Sequence, residues 1–261
     1  MVLYKHEMKM SRKSLLIWTL SVGLICFGCI LLYTSLEESI QEIADSFSDL
    51  GAMSAALGMD KMSLATLQGY YATEIAMMHN LGGAMFAAIL GIGILAKEES
   101  GHTAEFLCVF PVGRGYIVFW KYLALISNIV LLNLVCTGLY ALGFVMMGES
   151  VEGKMLILYH LASLLMQLEV GTVCFFLSAC VKKSLMGAGL GLTLFFFAAD
   201  MMCRVVPAIE DVKYLTPFYY ANAADIFADG KMNKVMAAVG AGIIVLCYGA
   251  AHWVYGRKDF S

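Results

Sequence analysis

Six runs of about 20 apolar residues, each long enough to cross a bilayer as a helix, constrain this chain more than any motif in it. They cover residues 15–33, 73–96, 121–147, 155–181, 185–206 and 235–255. Inside lipid the backbone N–H and C=O groups find no water, so a single run must close its hydrogen bonds within itself as a helix. The chain is 61% hydrophobic and 14% charged, whereas a soluble domain is nearer ~45–50% apolar and ~25% charged. The expected fold is therefore an all-α integral membrane protein with six transmembrane helices, one transmembrane domain over residues 1–261. The first run exceeds the core of a signal peptide and lacks a small-x-small cleavage site, so it is expected in the mature protein.

The polar residues between the runs give the orientation. Lys5, Lys9, Arg12 and Lys13 precede the first run with apolar residues interleaved, which suits an N-terminal interfacial helix. Lys97, Arg114, Lys121, Lys182, Lys183, Arg257 and Lys258 fall on the same side if the runs alternate. Most of the acidic residues fall on the other side, beginning with Glu37, Glu38 and Glu42. The positive-inside rule then puts both termini in the cytoplasm. External helical segments are expected after spans one and five. Ser35 and Glu38 form a capping box, followed by Ile40, Ile43, Phe47 and Leu50 at helical spacing. Thr216 and Pro217 read as the N-cap and first residue of another helix.

The stretch 97–121, KEESGHTAEFLCVFPVGRGYIVFWK, is the long polar interruption on the basic side. Gly101 suits a left-handed cap on the second span, Thr103 an N-cap, and Glu105 the first turn of a short helix. Phe106, Leu107 and Phe110 then make one apolar face, and Pro111 ends the helix. Glu98 and Glu99 stand at the unfavourable end of the preceding helix dipole. They therefore call for a basic partner, in the loop (Lys97, Arg114 or Lys121) or on another protein. His102 has no second ligand at metal spacing and belongs with a docking surface.

The pattern Glu98-Glu99, Gly101-His-Thr-Ala-Glu-Phe-Leu107, Pro111-Val-Gly-Arg114 and Lys121 resembles the cytoplasmic loop of type-2 ABC exporter permeases. Cys108 replaces a usual Leu, and Gly113 a usual Ser. Tyr214-Leu-Thr-Pro-Phe218 is similar to that family's element before the last span. The resemblance implies a short cytoplasmic coupling helix between spans two and three. It implies ATPase-docking or coupling roles for Glu98, Glu99, Thr103, Glu105, Phe106, Leu107, Phe110 and Arg114. It also implies cytoplasmic ABC ATPase subunits as partners and a second permease subunit, identical or related. No cofactor is expected in this chain, because it has no nucleotide-binding motif; ATP and Mg would belong to the partner. The expected place is a multi-pass position in the plasma membrane of a bacterium, with the lipid bilayer and not nucleic acid as surroundings. The substrate is not legible.

Inside the spans, Glu169 is the most conspicuous residue. A carboxylate at the middle of a span costs roughly 2.5–3.5 kcal/mol on insertion scales. It reads either as part of a translocation path or as a carboxyl fastening helices. The alternative to a transporter is a stand-alone membrane enzyme or channel using Glu169 with His160 and Gln167. His160 and Glu169 lie nine residues apart, about 14 Å along a helix, which is awkward for one small site. Gly83, Ala87 and Gly91 form a small-residue stripe that suits close packing, within the chain or at a dimer seam. The 8 cysteines lie mostly in apolar runs, so no disulfide framework is implied, and Cys26 and Cys29 have no ligating company.

Overall fold

The computed structural model describes residues 2–48, 51–101, 103, 112–149 and 151–258. Among them there is no strand, and six helices are long and apolar enough to cross a membrane. The first span is α1 (Val2–Leu32). After a 3-10 turn come α2 (Glu37–Ser48) and α3 (Gly51–Leu57). The second span comprises α4 (Leu67–Tyr70), a π-helical turn (Tyr71–Ile75) and α5 (Ala76–Ile94), with α6 (Ala96–Ser100) just beyond. Spans three, four and five are α7 (Arg114–Met147), α8 (Gly153–Cys180) and α9 (Met186–Val205). A 3-10 segment (Pro207–Tyr214) and α10 (Ala223–Asp229) lead to the sixth span, α11 (Lys234–Arg257).

The interfacial helix expected over residues 1–14 is continuous with the first span: residues 2–14 are the opening turns of α1. No proline or glycine breaks the helix before Gly23. α1 runs parallel to α7: the Tyr4 hydroxyl donates to Ser127, Ser11 donates to Asn128 at 3.0 Å, and Ile30 meets Gly143. With 34 residues, α7 is about 51 Å long, well beyond a ~30 Å hydrocarbon layer. Tyr116 and Phe119 near its start are exposed, the Tyr4 ring lies tilted beside Trp120, and Arg257 lies over the Trp253 ring. Those rings form an aromatic belt at the end of the bundle that holds both termini.

The second and fourth spans are the centre of the bundle. Gly83, Ala87 and Gly91 lie against α8 of the same chain. A side chain on Gly83 would strike Gln167, and one on Gly91 would strike the Gly171 carbonyl at 2.4 Å. The small-residue stripe is thus used for packing within the chain.

The helix predicted to start at Thr216 is absent. Residues 217–220 form turns, and the Thr216 hydroxyl donates instead to the Phe196 carbonyl at 2.8 Å. Asn222 caps the following short helix by accepting from Asp225 N–H, and Gly230, with φ 66°, closes it in the left-handed conformation.

Candidate functional site

The segment 104–111, with Glu105, Phe106, Leu107 and Phe110, lies outside the described residues, as does His102. Both of its flanks are described, and they enter one belt of charge. The Lys121 side chain is fully buried. Its ammonium donates to Glu7 Oε1 at 2.7 Å, to Glu98 Oε1 at 2.7 Å and to the Ile94 carbonyl at 2.8 Å. All three ammonium hydrogens are therefore used, which is what a buried lysine requires. Lys97 pairs with the other Glu7 oxygen. Glu7 is thus held from two sides, by a residue before the segment and a residue after it.

The break between α5 and α6 is closed by the same neighbourhood. The Ser178 hydroxyl accepts from the Leu95 and Ala96 N–H groups at 3.1 and 3.0 Å, while Lys121 caps the Ile94 carbonyl. Thr103 folds back on Glu98, its hydroxyl donating to Oε2 at 2.6 Å and its N–H to the Glu98 carbonyl at 2.8 Å. Gly101 has φ −91° rather than a left-handed value. Burial opposes the charge on Glu98, but Lys121, Thr103 and Lys97 outweigh it and hold its carboxyl below the usual carboxylate range.

The C-terminal end completes the belt. Lys258 Nζ lies 2.5 Å from Glu99 Oε1, an ionic contact without hydrogen-bond alignment, and donates to the Val181 carbonyl at 2.6 Å. Arg114 donates to the Gly256 and Lys258 carbonyls at 3.2 and 2.6 Å. Of the basic partners expected for the acidic pair, Lys121 takes Glu98. Glu99 goes to Lys258, which sequence reading did not connect to it, and Arg114 takes backbone carbonyls. Glu7, the centre of the belt, is an acid among four bases in the first 13 residues. Its signals in the sequence were that isolation and the resemblance, which implies an entry helix carrying a Glu at this place.

A second polar cluster lies in the bundle interior. His79 Nε2 faces Asn133 Oδ1 at 3.1 Å, so that nitrogen carries the proton and Nδ1 accepts from the Tyr140 hydroxyl at 3.1 Å. Asn133 donates to Gln167 Oε1 at 2.7 Å, and Gln167 donates to Ser163. His160 bonds Tyr71 and Thr137. These groups satisfy one another and tie spans two, three and four.

Glu169 stands apart from that cluster. It is 4% exposed, and its Oε2 accepts from the Tyr220 hydroxyl at 2.8 Å. It therefore joins the fourth span to the segment before the sixth. Gly240 on α11 faces it closely: a Cβ there would stand 2.5 Å from Glu169 Oε2 and 3.0 Å from the Tyr220 oxygen. Among the described residues His160 and Glu169 share no hydrogen-bond partner. On the far side from the termini, Asp200 and Arg204 pair at 3.1 Å as their spacing predicts. Arg204 also reaches Asp225 at 2.8 Å, which in turn holds Lys61 at 2.6 Å.

Six helices long and apolar enough to cross a membrane, a polar cluster tying three of them together and a charge belt flanking one loop define a polytopic membrane protein. The chain belongs to the ABC-2 family of transporter proteins, whose model matches residues 1–260. It is the membrane component of an ABC transporter. Among curated proteins, no sequence matches it.

Proposed function

We propose that this chain is the permease subunit of an ATP-driven exporter, moved by a separate cytoplasmic ATPase that carries ATP and Mg. Two permease subunits, identical or related, would form the pathway, with both termini in the cytoplasm of a bacterial cell. Phe106, Leu107 and Phe110 would fill a groove on the ATPase, in the manner of a helix docked by its apolar face, with Glu105 at the start of that helix.

The charge belt is the observation that carries this reading. Lys97, Glu98, Glu99 and Thr103 before the segment, and Arg114 and Lys121 after it, are fastened to α1, to the end of α5, and to the end of α11. A push on the segment would reach the first, second, third and sixth spans together rather than bend a free loop. Glu169 is the candidate residue of the pathway. Its carboxylate lines a small crevice with Tyr214, Thr216 and Gly240, between the fourth and sixth spans.

The test is a pull-down from detergent with Phe106→Asp and wild type at matched membrane levels. A buried aromatic anchor contributes about 2–4 kcal/mol at an interface hot spot, so its loss changes affinity by well over tenfold. The variant should insert normally and lose its ATPase, and transport should stop. Full retention of ATPase by the variant, or no ATPase bound to wild type, would show this reading of the segment to be wrong.

A further inference from the structure

Beside the belt, a cleft of about 230 Å³ opens on the outside of the bundle between the first and fifth spans. The second span, on which both pack, forms its floor. Its lining is divided. Leu90 and Met186 make an apolar wall, while Glu7, Ser11, Lys97, Asn128 and Ser184 supply polar groups. Ser11 and Asn128 already bond each other. Lys97 is different: its side chain is 32% exposed, and one hydrogen bond, to Glu7, is drawn from its three donors. Each oxygen of Glu7 is paired with a lysine, and Lys97 keeps donors to spare toward the cleft.

The surroundings add charge of the same sign. Exposed Lys13 lies three residues from Met10, another lining residue, and so on the same helix side. Exposed Lys183 directly precedes Ser184. The volume is below the ~300–1,000 Å³ of sites that enclose a whole small molecule. A ligand would leave part of itself outside, where Leu90 and Met186 lead into the hydrocarbon. A basic pocket between membrane helices, a turn or two along the first and third spans from Tyr4 and Trp120, matches the chemistry of an acidic headgroup.

We propose that this cleft binds the phosphate-bearing head of an anionic membrane lipid, with Lys97 as its charged contact and the acyl chains remaining in the bilayer. The inference does not depend on an ATPase partner.

The experiment is native mass spectrometry of the purified full chain in detergent, with phosphatidylglycerol and phosphatidylcholine of identical acyl chains. Wild type should retain phosphatidylglycerol preferentially. Lys97→Gln should weaken that retention about tenfold, the scale of one charge-assisted contact. Gly93→Leu fills the cleft without removing any charge. Among the described residues the new Cβ meets the Ser184 hydroxyl at 3.1 Å, and the variant should abolish retention. If Lys97→Gln yields no folded protein, Gly93→Leu alone decides. Equal retention of both lipids, or unchanged phosphatidylglycerol binding in Gly93→Leu, overturns the proposal. So does displacement of the lipid by glycerol phosphate at equal concentration, which would mark a site for a soluble anion.

Discussion

Replacing Lys121 with Met tests the charge belt at its centre. Met keeps the length of the side chain and removes the ammonium that separates two carboxylates. Two oxygens each 2.7 Å from one nitrogen lie within about 5.4 Å of each other, and at an effective dielectric of ~20 their repulsion is about 3 kcal/mol. That agrees with the ~3–5 kcal/mol typical of removing one partner from a buried pair. For a chain of this size it corresponds to a melting temperature lower by roughly 6–12 °C, read by fluorescence-detected size exclusion after heating.

The deficit should depend on pH in a stated direction. In the wild type the Glu98 carboxyl is held below its ordinary range. It therefore contributes stability that is present above the unfolded pKa and is lost as pH falls through the folded pKa. Without Lys121 that contribution vanishes and repulsion replaces it, so the gap between variant and wild type should be widest at neutral pH and should narrow in acid. Adding Glu98→Gln to Lys121→Met should restore most of the lost stability. Glu7→Gln should restore less, because Lys97 still holds Glu7. A Lys121→Met protein as stable as wild type at pH 7.5, or one that Glu98→Gln does not rescue, would refute the belt as a stabilising unit.

Other perturbations probe the rest of the bundle. Gly240→Val should lower stability and disturb the Glu169–Tyr220 bond, because even its Cβ falls 2.5 Å from the carboxylate; thermal melting and Tyr220 accessibility would report it. Glu169→Gln keeps an acceptor for Tyr220 and should assemble normally, and a fall in substrate-stimulated ATP hydrolysis by the reconstituted complex would assign it to the pathway. Asp225→Asn removes both the Lys61 and the Arg204 pairs. The Lys61 pair is partly solvated, but Arg204 is buried and is left with Asp200 as its carboxylate among the described residues, so the expected loss is about 3 kcal/mol, a shift of roughly 6–12 °C in melting. Single cysteines at Ser46 and Asp229, in a cysteine-free background, should react with an impermeant thiol reagent applied to cells, whereas one at Ser184 should not.

The helices were legible because length and apolarity act locally: a run such as 121–147 has no other way to satisfy its backbone in lipid. The Asp200–Arg204 pair was legible for a similar reason, being one helical turn apart. What was not legible depends on distance in the chain. Glu7 meets Lys121 across 114 residues, and Glu99 meets Lys258 across a still longer separation. No spacing rule connects such residues. Thr216 shows the opposite failure: its local sequence fits an N-cap, but a carbonyl of the fifth span took the hydroxyl first.

The interior polar cluster also bears on how the chain is made. The second and fourth spans are the most enclosed, 61% buried, and are among the least hydropathic of the six. His79 on one finds its partners on Tyr140 and Asn133 of the third, and Asn133 in turn is completed by Gln167 of the fourth. A nascent chain therefore emerges with imidazole and amide groups in lipid before their counterparts have been synthesised. Until the fourth helix is delivered, the second is a segment the bilayer holds weakly and a membrane chaperone or protease would recognise. Translation halted before residue 153 should yield a product cleared faster than one halted after residue 180.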